Sequence, residues 1–331
     1  MLQGLAGCVP PRVVANDELP AHWETDDAWV RRRTGIGTRH WVDEGTSTGD
    51  LALEAAEGAL KSAGTSQVDM VLVATSTPDH PMPAMAPVLA SKLGLGTVAA
   101  FDVSAVCSGF VYALATASGM IAAGLASRIL LVAADVYSTL LAPDDRSAGV
   151  VFGDGAGAMV LRAGKRGEPG SVLAFDLGSD GEGHDLIIVP AGGARDRAEP
   201  SRYAPEDKHF QMVGRDVYQH AVSRMSESAL AVLKNVGWTT DEVDRVVAHQ
   251  ANARILNAVG TKLSIPNDRV VSNISRVGNT GAASIPLALS DAVDRNEINA
   301  GDKVLLTAFG GGFTWGSAAM LWPEISTGKS N

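Results

Sequence analysis

AAFDVSAVCSGFVYALATASGM, residues 99–120, joins an apolar, β-prone run to a long segment of helical character through a few small residues. Cys107 lies at this junction, so the sequence predicts a thiol at a helix N-terminus. Unpaired backbone N–H groups and the positive end of the helix dipole favour thiolate over thiol at such a position. Free cysteine is also among the most buried residue types, so this stretch by itself fits a structural core residue at Cys107 as well as a nucleophile.

Two later segments also place a polar side chain at the end of a predicted strand. In VDRVVAHQANARI a Val-rich run ends at His249, and in SNISRVGNTGAASIPLALSDAV Asn279 lies in a Gly-flanked turn before a helix. Ligands bind at strand ends in open α/β sheets, so Cys107, His249 and Asn279 are predicted to converge on one pocket. Taken singly, each of the last two has an ordinary alternative, a surface or core histidine and a turn asparagine.

Length and composition bound the class of protein. The chain has 331 residues, of which 46% are hydrophobic and 19% charged, with a net charge of −10. This length predicts two fused α/β halves or one large α/β unit. The acidic balance argues against a general nucleic-acid binder. The two cysteines, Cys8 and Cys107, are far apart and predict neither a disulfide framework nor a metal site, which fits a reducing, cytoplasmic location.

We expect neither an export signal nor a membrane anchor. The start MLQGLAGCVPPRVV lacks a basic region followed by a long apolar core. Residues 103–127 carry no charge, but they hold several Ser, Thr and Gly and include the predicted strand end and turn. A buried core helix is therefore expected there instead of a membrane span.

Two pairs of similar segments predict an internal duplication. Residues 68–75 (VDMVLVAT) are similar to 243–249 (VDRVVAH), and RILLVAADV followed by FGDGAGAMVLR is similar to KVLLTAFGGGFTWGSAAML. A period near half of the chain indicates duplication and not a solenoid. The polar, Gly-containing stretch AGKRGEPGS predicts the boundary, which divides the chain into 1–166 and 167–331. GDGAGA at 153–158 lacks the spacing of a dinucleotide fingerprint and leads into a strand.

The strings DVSAVCSGF, AHQANARI, GNTGAASIP and AFGGGFTWGSA together resemble the β-ketoacyl-acyl-carrier-protein synthase III family of the thiolase superfamily. The resemblance runs nearly end to end. It implies a duplicated, thiolase-like α/β fold in α-β-α-β-α layers, with the nucleophilic cysteine in the first half and the histidine and asparagine in the second. It also implies an acyltransferase that needs no metal and no cofactor.

The reaction that the resemblance implies is a decarboxylating Claisen condensation. Cys107 takes a short acyl group from an acyl-CoA, and malonyl-acyl carrier protein then loses carbon dioxide. His249 and Asn279 donate hydrogen bonds to the resulting enolate, and the backbone amides of Cys107 and Gly311 form the oxyanion hole for the thioester. The carbanion attacks the acyl-Cys carbonyl to give a β-ketoacyl-acyl carrier protein.

Family positions for coenzyme A binding match residues in ETDDAWVRRRTGI, in PDDRSAG and after the histidine: Thr25, Trp29, Arg33, Arg146 and Asn252. A tryptophan face and a guanidinium plane can sandwich a purine, while arginines pair with phosphate. Without the other motifs, a charged helix flank with a core tryptophan would be the simpler interpretation.

The acyl-pocket positions of the family match Met82, Phe152, Ile187, Phe210 and Met212. Many relatives have, in place of Met82, a phenylalanine that reaches across a dimer interface to close the pocket. A flexible thioether yields more easily than a ring, so a starter larger than acetyl is predicted, such as propionyl, butyryl or a branched short acyl group. A pocket completed by the neighbour's Met82 predicts a two-fold homodimer with the strand AAFDVSA at its interface edge.

Docking of the acidic carrier protein is predicted at Arg215 and Arg254. Gln219 stands at a usual lysine position, and this departure predicts weaker or differently centred docking. Together, Met82 and Gln219 favour a polyketide-priming synthase over housekeeping initiation of fatty acid synthesis. Gly281 replaces a usual serine and carries no prediction.

Other functional classes fit the residues less well. A papain-like hydrolase also uses Cys, His and Asn, but its cysteine is usually followed by Trp and its chain is not duplicated. Non-catalytic partners of the same fold typically lose the cysteine, and thiolases use a second cysteine as base, for which Cys8 is in the wrong place. Acyl transfer to an alcohol or amine without decarboxylation remains open, and release of carbon dioxide distinguishes it.

Overall fold

Strands and helices alternate through both halves of the chain. The structure, a computed structural model, describes residues 1–199 and 201–328. The first half contains, in order, β1 (Leu2–Cys8), β2 (Val13–Ala15), α1 (Asp27–Thr34), β3 (Thr38–His40), α2 (Thr48–Ser62), β4 (Met70–Ala74), α3 (Met85–Lys92), β5 (Ala99–Val103), α4 (Gly109–Ala122), β6 (Arg128–Val136), α5 (Arg146–Gly149) and β7 (Asp154–Arg162). The second half contains β8 (Val172–Ser179), β9 (Ile187–Ile188), α6 (Ala194–Ala198), β10 (Gln211–Met212), α7 (Gly214–Val236), β11 (Arg245–Ala248), α8 (Ala253–Lys262), α9 (Ile274–Val277), α10 (Ser284–Asp294), β12 (Lys303–Gly310) and β13 (Thr314–Leu321).

The two main sheets repeat one strand order. The first sheet is β1-β7-β6-β4-β5 and the second is β11-β12-β13-β8, so β1-β7-β6-β4 corresponds to β8-β13-β12-β11. Of the three matched strand pairs in each sheet, β4/β6 and β11/β12 are parallel and the other two are antiparallel. The fifth strand of the first sheet, β5, pairs in parallel with β4. The predicted duplicated α/β fold is confirmed. The predicted boundary at 166/167 lies in the connection between β7 and β8, and residues 200 and 329–331 of the second half lie outside the described residues.

Helices form the other three layers. On the outer face of the first sheet lie α2 and α3, α4 and α10 lie between the sheets, and α7 covers the outer face of the second sheet with α8 beside it. The central layer buries Phe110, Ile285 and Leu306 in one hydrophobic core that draws on both halves. Within the uncharged stretch 103–127, residues 109–122 form the sandwiched helix α4, as expected for a core helix. Among the described residues no helix is both long and apolar enough to cross a bilayer.

Helix caps position the segments that surround the site. Asp26 caps α1 by accepting a hydrogen bond from the backbone N–H of Trp29 at 2.6 Å, and Gly35 ends the helix with φ 78°. Asn252 caps α8 by accepting from the backbone N–H of Arg254 at 2.8 Å. Because a side chain that caps a helix satisfies one of its free N–H groups, these caps fix where each helix begins. The caps therefore set the positions of Trp29 and Arg254.

Candidate active site

Cys107 lies in a short 3-10 turn, Val106–Ser108, directly before α4. Val106 has φ 47°, in the left-handed region that β-branched residues rarely adopt. The chain therefore bends sharply between β5 and α4, and the thiol is presented at one end of a cavity while remaining only 8% exposed. The structure places the thiol at a helix N-terminus, as the sequence predicts.

The protonation state of Cys107 differs from the sequence expectation. Burial, reinforced by the nearby Asp135 charge, raises the pKa of the Cys107 thiol to about 12, while hydrogen bonds from the Tyr137 side chain and from backbone act to lower it. Desolvation of the charged form is the largest cause of this rise, because the sulfur has almost no contact with water. The resting side chain is therefore a neutral thiol and not a thiolate.

His249 directly follows β11 and is 3% exposed. Burial lowers the pKa of its imidazole to about 4, so the ring is neutral at pH 7. Its Nδ1 lies 2.7 Å from the Ser284 hydroxyl, which also accepts a hydrogen bond from the backbone N–H of Gln250 at 3.3 Å. The Ser284 hydroxyl can therefore donate its proton to Nδ1, and in that tautomer the ring proton of His249 is on Nε2. Sequence reasoning missed Ser284; its place five residues after Asn279 was the available signal.

Asn279 is held on both sides by backbone pairing with the turn before β7. Its N–H donates to the Val151 carbonyl at 2.9 Å, and its carbonyl accepts from Gly153 at 2.9 Å. The side-chain oxygen accepts from the Gly281 N–H at 3.0 Å. With the oxygen so engaged, the amide N–H₂ remains as the group that can donate toward a ligand.

One cavity brings the three predicted catalytic side chains together. It has a volume of about 40 Å³ and is lined by Cys107, His249 and Asn279 together with Gly310 at the end of β12. A Cβ on Gly310 would lie 2.8 Å from the Cys107 backbone nitrogen, so only glycine lets the strand end approach the turn this closely. Gly311, the predicted second oxyanion donor, follows directly, with Val106 and Ile187 beside it.

The wall of this cavity contains four of the five predicted acyl-pocket residues: Phe152, Ile187, Phe210 and Met212. Phe309 and Met225 also line it and were missed; Phe309 directly precedes the Gly run that the sequence analysis singled out. Met82 is different. It lies in the loop before α3, is 81% exposed and does not line the cavity of its own chain.

A wider pocket of about 580 Å³ leads to the cavity. The two share Met212, Val217, Ala251, Ile255 and Asn279. Of the residues predicted to bind coenzyme A, Trp29, Arg33 and Asn252 line this entrance pocket. The guanidinium carbons of Arg33 and Arg146 lie 5.2 and 4.9 Å from the Trp29 ring centroid. The guanidinium groups of Arg33 and Arg146 therefore lie close to the indole ring of Trp29 at the mouth of the site.

Thr25 and the predicted docking residues are the remaining residues of the predicted site. Thr25 does not line the entrance pocket, and its buried hydroxyl has no hydrogen-bond partner in the described part of the chain. Arg215 and Arg254 both line the entrance pocket, as does Gln219. Across residues 1–199 and 201–328, no group of three His, Cys, Asp or Glu side chains is placed to hold a metal ion.

Comparison with known proteins identifies relatives along the whole chain. Residues 101–181 match the family model of 3-oxoacyl-[acyl-carrier-protein (ACP)] synthase III, and residues 233–322 match the model of its C-terminal part. The chain is 56% identical over 326 residues, 98% of both chains, to β-ketoacyl-[acyl-carrier-protein] synthase III 5 of Streptomyces coelicolor. The crystal structure of 3-oxoacyl-(acyl carrier protein) synthase III from Pseudomonas aeruginosa PAO1 has a TM-score of 0.92 at 48% identity and covers 98% of each chain.

A polyketide enzyme has the same fold at lower identity. The priming β-ketosynthase from the R1128 polyketide biosynthetic pathway has a TM-score of 0.90 at 30% identity, covering 97% of this chain and 96% of that chain. The family predicted from four motifs is confirmed by these matches, and so is its assignment as an enzyme of the acyltransferase class. This chain belongs to the β-ketoacyl-[acyl-carrier-protein] synthase III family.

Proposed function

We propose that this enzyme joins a short acyl group, carried on Cys107, to the carbanion formed by decarboxylation of malonyl-acyl carrier protein. The observation that carries the proposal is the single cavity lined by Cys107, His249 and Asn279, which is reached through a pocket with Trp29 and Arg33 at its mouth. Such a condensation requires a nucleophile, two neutral hydrogen-bond donors and a positively charged entrance for its substrates. The proposed reaction needs no cofactor.

The first half-reaction is thioester exchange. The Cys107 sulfur forms a bond to the acyl carbon, the bond from that carbon to the coenzyme A sulfur breaks, and the thiol proton leaves with coenzyme A. Because burial raises the pKa of Cys107 to about 12, ionisation accompanies attack and does not precede it. We assign the oxyanion hole for this step to the backbone N–H groups of Cys107 and Gly311.

The second half-reaction forms the carbon–carbon bond. The bond between the malonyl carboxylate and its neighbouring carbon breaks, and carbon dioxide leaves. The electron pair of that bond forms an enolate, whose oxygen accepts hydrogen bonds from Nε2 of His249 and Nδ2 of Asn279. The enolate carbon attacks the acyl-Cys carbonyl, the carbon–sulfur bond breaks, and Cys107 takes up one proton. Both donors are neutral and nearly water-free, at 3% and 5% exposure, so each hydrogen bond to the enolate is stronger than in water.

Substrate carriers are proposed to use the entrance pocket. Trp29, with Arg33 and Arg146 over its ring, suits the adenine and phosphates of coenzyme A. Asn252 and Thr25 remain proposed contacts of the same ligand. Arg215 and Arg254 on the rim would attract an acidic carrier protein.

The starter is proposed to be short but larger than acetyl, with propionyl and butyryl as the main candidates. A cavity of about 40 Å³ holds roughly three water molecules, which favours an acyl group of a few heavy atoms. The rings of Phe152 and Phe210, 4.8 Å apart, form part of its wall. For the pathway we propose the priming of a polyketide, because Met82 and Gln219 depart from the residues that are usual in the family. Initiation of fatty acid synthesis is the alternative.

Intact-mass analysis tests the function. The enzyme is mixed with acetyl-, propionyl-, butyryl- and octanoyl-CoA in competition, and the expected result is one acyl adduct, mainly propionyl or butyryl, that is absent from Cys107→Ala. Addition of carboxyl-labelled malonyl-acyl carrier protein should release labelled carbon dioxide. Preferential acetyl loading would remove the starter assignment. Loading of the Cys107→Ala variant, or acyl transfer without carbon dioxide release, would contradict the proposed reaction.

A further inference from the structure

Ser284 has a buried hydroxyl that contacts a proposed catalytic side chain from outside the catalytic cavity. It is the first residue of α10, is 1% exposed, and lines neither the cavity nor the entrance pocket. Its Oγ lies 2.7 Å from Nδ1 of His249. A side chain in this place does not touch a substrate in either pocket, so any effect that it has on the reaction passes through His249.

The hydroxyl of Ser284 has two hydrogen-bond neighbours in the described part of the chain. One is the backbone N–H of Gln250, 3.3 Å from Oγ, which can only donate. Nδ1 of His249 is therefore the acceptor for the hydroxyl proton. If Nδ1 carried a proton of its own, the buried hydroxyl proton would be left without an acceptor, which costs free energy. The hydrogen bonds thus favour the neutral ring with its proton on Nε2.

The turn that carries Ser284 also carries Asn279, and it is docked on the first half of the chain. Asp135, near the end of β6, is 0% exposed. One of its oxygens accepts from the backbone N–H of Ala282 at 2.7 Å, and the other accepts from that of Ser76 at 2.6 Å. Loss of either hydrogen bond would leave a buried polar group unpaired, which is costly. The turn is therefore held in one place relative to the strand ends of the first half.

Gly281 lets the turn approach Asp135 this closely. A Cβ at this position would lie 2.3 Å from Oδ2 of Asp135 and 2.5 Å from Cε2 of Tyr137, far inside van der Waals contact. Gly281 also has φ 57°, which side chains rarely adopt. A serine at this position does not fit the arrangement. The structure thus accounts for the departure from the family pattern that the sequence left unexplained.

We infer that Ser284 is a positioning residue for His249: it donates its hydroxyl proton to Nδ1, keeps the ring proton on Nε2, and so makes that nitrogen a donor to the enolate. The inference deepens the proposed function and rests on it. A single turn then sets both enolate donors, Asn279 directly and His249 through Ser284. Since the loading of Cys107 uses neither donor, Ser284 acts in the second half-reaction and not in the first.

NMR of ¹⁵N-labelled histidine rings tests the inference without substrate. At pH 7 the His249 ring, assigned by its absence from His249→Gln, should carry its proton on Nε2 and show Nδ1 as a hydrogen-bonded acceptor. In Ser284→Ala the Nδ1 signal should move toward that of a nitrogen without a hydrogen bond. The matched control is Ser290→Ala, because Ser290 is on the same helix, is 3% exposed and lines neither pocket; its spectrum should equal that of the parent.

Separate measurement of the two half-reactions distinguishes positioning from a general structural defect. Ser284→Ala should release labelled carbon dioxide from malonyl-acyl carrier protein about tenfold more slowly than the parent, because the hydrogen bond that holds the enolate donor is lost. Its rate of acyl loading on Cys107 should equal the parent rate. Ser290→Ala should match the parent in both half-reactions.

Three results would overturn the inference. They are a parent ring with its proton on Nδ1, a Ser284→Ala variant that keeps the parent Nδ1 signal and rate of carbon dioxide release, and equal slowing of both half-reactions in that variant. If Ser284→Ala does not fold, the ring tautomer of the parent enzyme still decides. The expected ring signals in a parent enzyme that releases no carbon dioxide would instead contradict the proposed function alone.

Discussion

Burial decides the protonation states of two proposed catalytic residues, Cys107 and His249, and of the buried Asp135. It raises the pKa of Cys107 to about 12, lowers that of His249 to about 4 and raises that of Asp135 to about 7. Each shift favours the neutral form, because the charged form loses its hydration in the interior. The site is therefore built to stabilise charge that develops during reaction and not charge present at rest.

The neutrality of His249 gives a prediction about pH. Its pKa of about 4 lies below the ordinary value of 6.5, so between these values the unfolded chain binds a proton that the folded protein excludes. Stability is therefore lost as pH falls from 6.5 toward 4, by about 3 kcal/mol from this residue. The NMR signals of the His249 ring should not titrate between pH 5 and 8.

A variant isolates this contribution from the others. The raised pKa of Asp135 acts in the opposite direction, since its contribution to stability is lost as pH rises toward 7. Urea unfolding of the parent and of His249→Gln at several pH values cancels that shared term. The difference between the two free energies of unfolding should change between pH 6.5 and 4 as stated; a constant difference, or a His249 titration midpoint near 6.5, would refute the assignment.

At the scale of elements, helix N-termini and strand ends hold the side chains of the site. Helices also surround its entrance. Cys107 precedes α4, His249 follows β11, and Arg254 lies in the first turn of α8. Arg215 lies in the first turn of α7, so two helices contribute a positive rim to one pocket. Arg224, farther along α7, contacts Asp180 and Glu227 and lies over Trp315, so its charge is already compensated.

Charge reversal on these helices tests docking. The double substitution Arg215→Glu and Arg254→Glu should raise KM for malonyl-acyl carrier protein about tenfold or more, because an acidic partner would meet negative charge. The effect should shrink as salt is raised. Lys234→Glu, at the exposed far end of α7, is the matched control and should leave KM unchanged. An unaltered KM in the double variant would show that the carrier protein docks elsewhere.

At the scale of the whole molecule, the first sheet ends in a strand whose outer edge is unpaired in the single chain. β5 is the end strand of the first sheet and its residues are exposed or half-buried, whereas β4 beside it is fully buried. Unpaired edge strands invite pairing with another chain. Exposed Met82 and Val88 lie near the same edge, before and on α3, which packs on β5. These features support the proposed two-fold homodimer.

Light scattering in solution tests the assembly. The protein should have a mass near twice the 34.3 kDa of one chain. Ala100→Arg on β5 should shift the mass to that of one chain, since a charge at the strand edge opposes pairing. Leu125→Arg, at a side chain 66% exposed after α4, should leave the dimer intact. A single-chain mass for the parent protein, or a dimer that survives Ala100→Arg, would contradict an interface at β5.

The sequence by itself determined the duplication and the strand ends on which Cys107, His249 and Asn279 lie, because hydrophobic periodicity and glycine turns are local patterns. The resemblance of four motifs indicated the family and its layered α/β fold. The tertiary structure alone decided that Cys107 rests as a thiol, that Ser284 orients His249, and that Gly281 makes room for Tyr137. Those properties depend on burial and on contacts between segments from both halves of the chain. Desolvation and close packing are collective, so no single stretch of sequence carries them.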